Sequence, residues 1–320
     1  MNKTQERIDL RSDTVSLPTK EMIAAIRETR LGDDVLGEDP TVNTLEKEAA
    51  EMLGKEAALL VPSGTFGNQA AIYTHTQKGD EIIAADPAHI VQYEVGAAAA
   101  IAGVQLRSIP SEDGCITAGM VREKIRQKPD IHFPETGLIV VQNPLGNGRV
   151  VPVETLSEIK QTAREFEIPV HMDGARIFNA ATYLKTDVKN IAALADSVMF
   201  CLSKGLGAPI GSVLVGSEKF IDKARKTRKM MGGGMRQAGI IAAPGLYALR
   251  IMTKRLEEDH KNIRNLAKAL NRYEIFEVDF SRIHTNILYL GFNAQNKNIG
   301  ERFANILGEY GIYTYPPYGG

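Results

Sequence analysis

Short apolar segments alternate with amphipathic segments through most of the first 240 residues. Seven segments predict strands: AALLV (57–61), EIIAAD (81–86), VQLRSI (104–109), GLIVVQN (137–143), PVHMDGA (169–175), SVMFCLS (197–203) and GSVLVGS (211–217). Most segments between them have helical apolar spacing, as in VETLSEIKQTAREFE (153–167). Strands that are apolar on both faces need helices on both faces. The alternation therefore predicts an α/β fold, with a mostly parallel sheet between two helical layers.

Local signals also place helices along the chain. Asp39 and Pro40 have the pattern of an N-cap followed by proline at the first helical position, and Gly54 has the pattern of a helix stop. Three further segments predict helices: SGTFGNQAAIYTHT (63–76) after its opening turn, VQYEVGAAAAIA (91–102) and ITAGMVREKIRQK (116–128).

The pattern changes near residue 240. GLYALRIMTKRLEEDHKNIRNLAKAL (245–270) predicts one long charged helix, HTNILYLGF (284–292) a strand and ERFANILGEYG (301–311) a helix. We expect an N-terminal arm (1–16), a large cofactor-binding domain (17–245) and a small C-terminal α+β domain (246–320). One clear strand is little for a self-standing layer, so we expect the small domain to be truncated.

Composition narrows the class of function. The formal net charge of −1 gives no reason to expect nucleic acid or an acidic membrane surface as a partner. Cys115 and Cys201 lie outside any CxxC or metal-ligand spacing, so no metal site is expected, and Cys201 is read as a small buried apolar residue. No apolar stretch has the length of a membrane span, and MNKTQERIDL lacks the apolar core of a signal peptide. We expect a protein of the cytoplasm.

Reactive side chains follow several predicted strands. Ligands of open α/β sheets bind beyond the carboxyl ends of the strands. The residues found there are Ser63, Gly64 and Thr65, then His89, then Asp173 and Arg176, and finally Ser203 and Lys204. Each alone has a simpler explanation, such as a helix cap, a turn residue or a solvated lysine. Their shared position on one edge favours a functional site.

One cofactor, pyridoxal phosphate (PLP), needs this combination of groups. A lysine such as Lys204 can bind its aldehyde as a Schiff base, and Asp173 can keep its ring nitrogen protonated. Its phosphate suits the N-terminus of the helix that Gly64 and Thr65 open. An imidazole such as that of His89 can stack on the ring.

Two nucleotide-binding motifs fit less well. GLGAPIG (205–211) departs from the G-x-G-x-x-G of dinucleotide sites, comes late in the chain and has no acidic strand end at the usual distance after it. GGGM (232–235) is not followed by the Lys-Ser or Lys-Thr of a P-loop. The dinucleotide interpretation therefore ranks below PLP.

Six separated motifs resemble the L-threonine aldolases, of the low-specificity or allo-threonine type. They are IDLRSDTVSLPT (8–19), GDDVLGEDPTVNTLE (32–46), ALLVPSGTFGNQ (58–69), VHMDGARIFNA (170–180), SVMFCLSKGLGAPIGSVLVG (197–216) and MMGGGMRQAG (230–239). The resemblance implies a PLP-dependent transferase-like fold of type I, the aspartate-aminotransferase class, within the β-eliminating lyase group. It also implies a homotetramer, a dimer of dimers with active sites at the subunit interface.

The resemblance implies roles around the ring and the substrate. Lys204 matches the Schiff-base lysine, Asp173 the partner of the ring nitrogen, and His89 the histidine stacked on the ring. Arg176 matches an arginine near the phenolic oxygen of the cofactor and the substrate carboxylate. Ser12 matches a residue that contacts the same carboxylate.

The resemblance also implies phosphate ligands. Gly64 and Thr65 match the phosphate-binding turn, and Ser203 is a further donor. Arg236 matches an arginine that reaches the phosphate from a neighbouring subunit. Most of the basic run before it, KARKTRK (223–229), is read as a solvated helix face.

The implied reaction is aldol cleavage of a β-hydroxy-α-amino acid, L-threonine or L-allo-threonine, to glycine and acetaldehyde. His89 or a bound water would take the hydroxyl proton. Two alternatives stay open: another activity of fold type I, such as β-elimination or transamination, and a truncated fragment that binds PLP without catalysis.

The chain departs from the family pattern at three points. Leu145 stands about where the family has a histidine that handles the substrate hydroxyl. Leu36 stands where the family usually has tyrosine. The C-terminal arginine that contacts the substrate carboxylate in the family has no counterpart, so we expect weak substrate binding or no activity from this chain.

Overall fold

The computed structural model of the chain describes residues 7–127, 130–293 and 299–316. Its strands are β1 Ile8–Asp9, β2 Ala57–Val61, β3 Glu81–Ala85, β4 Gln105–Ile109, β5 Thr136–Gln142, β6 Val170–Asp173, β7 Ser197–Cys201, β8 Ser212–Gly216, β9 Phe276–Glu277, β10 Gly291–Phe292 and β11 Ile312–Tyr313. Its helices are α1 Lys20–Glu28, α2 Pro40–Leu53, α3 Gly64–His75, α4 His89–Gln92, α5 Ala118–Lys124, α6 Val153–Glu165, α7 Ile177–Leu184, α8 Val188–Ala192, α9 Glu218–Met230, α10 Gly239–Arg250, α11 Leu256–Leu270 and α12 Gly300–Glu309.

The central sheet has seven strands in the order β2-β8-β7-β6-β5-β3-β4. β8 runs antiparallel to β2 and β7, and the other neighbouring pairs are parallel. β3, β7 and β8 are buried at every residue, so both faces of the sheet are covered. The mostly parallel sheet that the apolar segments predict is therefore confirmed.

Two short strand pairs lie outside the central sheet. β1 pairs in parallel with β11, which joins the N-terminal segment to the C-terminal segment. β9 and β10 pair antiparallel. No helix in the described part of the chain is both long and apolar enough to cross a membrane.

The helix predicted over 91–102 is wrong as a single element. α4 ends at Gln92, and only one wide helical turn follows, at Ala98–Ala102. Val95 and Gly96 have φ angles of 56° and 69°, in the left-handed region, which interrupts the helix. The Glu94 side chain lies in the interior, where it is hydrogen-bonded.

The long helix predicted over 245–270 is also wrong as a single element. α10 ends at Arg250, and a tighter turn at Met252–Arg255 redirects the chain into α11. Leu256 and His260 of α11 are buried, and His260 Nε2 lies 3.2 Å from Asn179 Nδ2 of α7. The break lets α11 bury this face against α7.

Two other predicted elements are shorter than expected. Of the strand predicted over 284–292, only β10 forms, because side-chain contacts hold the preceding residues instead of a ladder: Thr285 Oγ1 donates to Gly148 O at 3.0 Å. The helix predicted over 116–128 ends at Lys124, since Ile125 is extended, and Lys128 lies outside the described residues.

Glycine allows α3 to pack closely on the sheet. A Cβ added at Gly67 would lie 2.6 Å from Met199 Cγ on β7 and 3.2 Å from Val61 Cγ2 on β2. The distances are shorter than van der Waals contact, so only glycine fits there without a shift of the helix.

Replacement of Gly67 by alanine should destabilise the protein by about 1–3 kcal/mol, because α3 must move away from the sheet. Gly119→Ala in α5 is the matched control, since its nearest neighbour would be 3.8 Å away. Urea unfolding followed by circular dichroism measures both. A Gly67→Ala variant as stable as the Gly119→Ala variant would contradict the packing argument.

A line of polar side chains runs between α3 and the sheet, from the half-buried His75 to fully buried residues. His75 Nε2 lies 2.8 Å from Ser197 Oγ, and the same hydroxyl lies 2.8 Å from His171 Nδ1. Burial lowers the pKa of His75 to about 4, with Asp196 opposing that effect and Lys160 adding to it. Burial lowers the pKa of His171 to about 3, and His75 adds to the effect. Both imidazoles are therefore neutral in the folded protein near pH 7.

These lowered pKa values make the fold sensitive to acid. Below pH 6.5 the unfolded chain binds protons at position 75 that the folded chain does not bind, so stability falls as the pH falls towards 4. We expect His75→Gln to reduce the loss of unfolding free energy between pH 7 and pH 4.5 by about 2–3 kcal/mol.

Denaturant titrations of the wild type and the variant across that pH range measure the slope. His75→Phe is a second variant, which should share the smaller slope although its absolute stability differs. A slope equal to that of the wild type in both variants would show that His75 is not buried in the neutral form.

Candidate active site

The carboxyl ends of three strands of the central sheet bring the predicted groups to one edge. β3 leads to His89, β6 ends at Asp173, and β7 leads to Lys204. β6 pairs in parallel with β7, so their ends meet. Residues 205–211 connect β7 directly to β8 with no helix, which removes the helix N-terminus that a dinucleotide site needs.

Asp173 is buried and both of its carboxylate oxygens accept hydrogen bonds. Oδ2 accepts from Asn68 Nδ2 at 3.0 Å, and Oδ1 accepts from the backbone N–H of Ala175 at 3.1 Å. The side chain is fixed before any ligand binds, as a partner for a ring nitrogen must be.

A second buried carboxylate, Glu94, lies beside Asp173. Its oxygens accept from Asn68 Nδ2 at 2.9 Å, from Gln69 Nε2 at 2.5 Å and from His89 Nδ1 at 2.8 Å. Side-chain atoms of His89, Glu94 and Asp173 all lie within 4.8 Å of one another. The imidazole and the two carboxylates therefore form one cluster.

The contact with Glu94 fixes how His89 can act. Its Nδ1 carries the proton that the carboxylate accepts, so Nε2 is the nitrogen left to accept a proton. The backbone N–H of His89 donates to Gln142 Oε1 at 3.1 Å, which ties the start of α4 to the end of β5.

The first turn of α3 begins at the end of β2 and lies close to β7. Ser63 caps the helix by accepting from the Phe66 N–H at 3.2 Å. A Cβ on Gly64 would lie 2.9 Å from Cys201 Sγ, so glycine lets the turn approach β7. The first N–H groups of a helix have no partner within the helix, which makes this turn an anion site.

Asp13 is the centre of a second cluster. It accepts from Arg176 Nε at 2.7 Å and Nη2 at 2.5 Å, from the Gly205 N–H at 3.1 Å and from Asn286 Nδ2 at 3.1 Å. Burial alone would raise the pKa of Asp13, but these partners and Lys204 hold that pKa below its usual range. The pair uses two of the five N–H groups of Arg176, which leaves both N–H groups of Nη1 and one of Nη2 as further donors.

Lys204 is half-buried, and its amine has no hydrogen bond or ion pair among the described residues. Burial raises the pKa of the neighbouring Cys201 thiol, and the charges of Lys204 and Arg176 oppose that effect only in part. Asp173 acts on the same thiol, so the amine, the guanidinium and the carboxylate all lie within electrostatic reach of one buried sulfur. Cys201 is a small buried residue, as its apolar context predicts.

The remaining predicted residues occupy different positions. Ser12 accepts from the Thr14 N–H at 3.2 Å and lies 3.4 Å from Asp13 Oδ1, beside the Asp13 cluster. Ser203 is half-buried next to Lys204. Arg236 lies apart from them on the surface, 59% exposed, and donates to Asp33 Oδ2 at 2.8 Å.

Two of the departures from the family pattern are visible in the fold. Leu145 is 5% exposed and belongs to the main hydrophobic core. Leu36 is 67% exposed on a turn after Asp33. Neither offers a polar group to a ligand.

The predicted site residues include neither Asn68, Gln69 and Glu94 beside Asp173 nor Asp13 and Asn286 beside Arg176. Asn68 and Gln69 follow Gly64 by four and five positions, which places them one helical turn further along α3. Glu94 is the only charged residue in VQYEVGAAAAIA, and a charge in such an apolar run is the signal that would have found it.

The groups required by PLP are present in this arrangement. The turn at Gly64 and Thr65 opens α3 with the N–H groups of a helix N-terminus, Asp173 is a fixed carboxylate, and Lys204 is an unpaired amine within the described part of the chain. The residues therefore fit the cofactor that the sequence predicts.

Comparisons with known proteins agree with this geometry. A sequence model of the family described as beta-eliminating lyase matches residues 9–292. The chain is 44% identical over 304 residues to the low specificity L-threonine aldolase of Escherichia coli K12, covering 95% of this chain and 88% of that protein. It is 42% identical over 310 residues to low-specificity L-threonine aldolase 1 of Arabidopsis thaliana, covering 95% and 87%.

A solved structure shows the same fold. Threonine aldolase from Leishmania major matches with a TM-score of 0.76 at 18% identity, over 85% of this chain and 81% of that chain. The predicted three-layer architecture of fold type I is thereby confirmed. From the match to the family model and the identity over nearly its whole length, this chain belongs to the beta-eliminating lyase family of PLP-dependent enzymes.

Proposed function

We propose that the chain is a carbon–carbon lyase that cleaves L-threonine and L-allo-threonine to glycine and acetaldehyde. Two relatives that match it over most of its length are named low-specificity L-threonine aldolases. The observation that carries the proposal is the convergence of Lys204, Asp173 and the buried Arg176–Asp13 pair at one sheet edge.

The described residues support a role for each part of the cofactor. PLP supplies a ring that draws electrons from the substrate Cα when a bond there breaks. Lys204 would hold its aldehyde carbon, Asp173 its ring nitrogen, and the α3 turn with Ser203 its phosphate. The buried hydrogen bonds of Asp173 keep its carboxylate in one orientation for that contact.

Arg176 and Ser12 would orient the substrate. Asp13 holds the Nε/Nη2 edge of the Arg176 guanidinium in one orientation, so the Nη1 side can bind a carboxylate without loss of further side-chain freedom. Fixing the carboxylate would select which bond at Cα breaks when the cofactor is bound. This choice separates aldol cleavage from the other reactions that the cofactor allows.

His89 would accept the proton of the substrate hydroxyl at Nε2. As that proton arrives, the imidazole becomes a cation, and Glu94 at 2.8 Å from Nδ1 stabilises the charge. Loss of the hydroxyl proton lets the oxygen form the aldehyde carbonyl as the Cα–Cβ bond breaks. A histidine at position 145 is then not required for the transfer.

Replacement of Lys204 by alanine tests the proposal. The purified wild-type protein should be yellow, lose its colour with borohydride and form glycine and acetaldehyde from threonine. Lys204→Ala should abolish the colour that borohydride bleaches and lower turnover by at least about 10³-fold. Visible absorbance and product analysis measure these changes.

Lys219→Ala, on the exposed side of α9, is the control and should behave as the wild type. A keto acid as product would indicate β-elimination or transamination instead. Bound PLP without turnover in the wild type would favour a non-catalytic protein. A borohydride-sensitive chromophore that persists in Lys204→Ala would remove the site assignment.

The proposed assembly is a homo-oligomer, a dimer of dimers whose active sites lie between subunits. Gly233, in the loop before Arg236, packs so closely on Phe66 that an added Cβ would lie 2.4 Å from its ring. The loop therefore lies next to the phosphate turn. Exposed apolar side chains near this loop, at Leu36, Met230 and Ile240, support an interface there. The three-part domain division and the cytoplasmic location stay predictions.

The exposed Arg236 provides a test of the shared site. Arg236→Ala should weaken PLP binding about tenfold or more, since a charge-assisted hydrogen bond to phosphate is lost. Asp33→Asn is the matched control, because it removes the other half of the ion pair within the chain. Equilibrium dialysis gives the affinity and sedimentation gives the oligomeric state. If Arg236→Ala binds PLP as tightly as Asp33→Asn and the wild type do, Arg236 does not contact the phosphate.

A further inference from the structure

The polar line beneath α3 continues to Asp173. His171 Nε2 lies 3.2 Å from Asn68 Oδ1, and Asn68 Nδ2 donates to Asp173. The full sequence of contacts is His75, Ser197, His171, Asn68 and Asp173. His171, Ser197 and Asn68 are each 0% exposed.

The two carboxylates fix the direction of every hydrogen bond in this line. Asn68 donates its amide N–H groups to Glu94 and Asp173, so its Oδ1 must accept, and His171 Nε2 must carry the proton. The neutral His171 ring then accepts at Nδ1 from the Ser197 hydroxyl. Ser197 in turn accepts from a proton on His75 Nε2.

We propose that His171 is a positioning residue for Asp173, and that its Nε2–H, set by Ser197 and His75, holds the Asn68 amide in the orientation that donates to both carboxylates. The proposal rests on the proposed contact of Asp173 with the cofactor ring. His171 itself touches neither carboxylate.

The reason lies in the near symmetry of the amide. A 180° flip of the Asn68 amide changes its shape very little, but it would place the amide oxygen against Glu94 and Asp173. Without a donor on the other side, the correct orientation leaves Oδ1 buried and unpaired, which is unfavourable. The His171 proton removes that conflict.

The tautomers can be measured independently of activity. In holoenzyme labelled with ¹⁵N-histidine, long-range ¹H–¹⁵N spectra should show His171 and His75 as neutral Nε2–H tautomers at pH 7. An Nδ1–H tautomer or a charged ring at His171 would overturn the proposal, whatever reaction the enzyme catalyses.

Substitutions test the consequence for the site. His171→Leu should lower kcat at least tenfold with little change in KM for threonine, and should weaken PLP binding severalfold. His171→Gln, which keeps a donor towards Asn68, should recover most of both losses. Val215→Ala is the control for a buried change in the same sheet, since Val215 is 0% exposed.

The comparison separates the proposals. If His171→Leu loses no more kcat and PLP affinity than Val215→Ala, or if His171→Gln recovers nothing, the positioning role is wrong. If the wild type cleaves no threonine, the aldolase proposal fails. The positioning role of His171 is then tested by the PLP affinities of the variants alone. If His171→Leu does not fold, the tautomer of His171 and the His171→Gln variant still test the positioning role. A His171→Gln variant with less than half of the wild-type kcat or PLP affinity would overturn that role.

Discussion

One side-chain amide, that of Asn68, joins two buried carboxylates that come from distant parts of the chain. A buried carboxylate is costly unless hydrogen bonds replace its water, and Asn68 donates to Glu94 and Asp173 at once. The position of Asn68 depends on how closely α3 packs on the sheet. Gly64 and Gly67 allow this close packing, because a larger residue at either position would collide with Cys201 or Met199. The close packing of α3 on the sheet therefore also determines where the Asn68 amide lies relative to the two carboxylates.

Asp13 has a comparable role on the other side of the site. Its carboxylate joins the N-terminal segment to Arg176 after β6, to the loop after Lys204 and to Asn286 near the C-terminal segment. Its pKa below the usual range means that the folded state stays charged at pH values where an ordinary aspartate takes up a proton. The stability contributed by Asp13 is present above its ordinary pKa and is lost as the pH falls through the lowered pKa.

Strand positions and the site edge could be predicted from the sequence, because both depend on short-range patterns. Segments without charge, such as residues 197–203, must be buried on both faces, and parallel strands end at a common edge. Lys204 and Asp173 follow from those two facts. The supporting residues do not, since their partners are far away in sequence: Asn68 meets Asp173 across 105 positions. A polar residue in a helix looks the same in a sequence whether it faces water or a carboxylate.

The errors in the predicted elements have the same origin. Helical periodicity continues through residues 91–102 and 245–270, and it outweighs the weak local signals of a break, such as Glu94 and Gly96 in the first segment. In the first segment the interruption brings Glu94 inward, where His89 can donate to it. The segment where helix prediction fails is thus the one that supplies a carboxylate to the site.

Glu94 also gives a physical meaning to the leucine at position 145. A histidine that takes up a proton becomes a cation, and the buried Glu94 carboxylate, 2.8 Å from Nδ1, lies where it can stabilise that charge on His89. A second histidine in the following loop would need its own polar surroundings, whereas the side chain at 145 lies in the apolar core. Under the proposed function, proton transfer therefore falls to the His89 imidazole, and Leu145 contributes packing to the core.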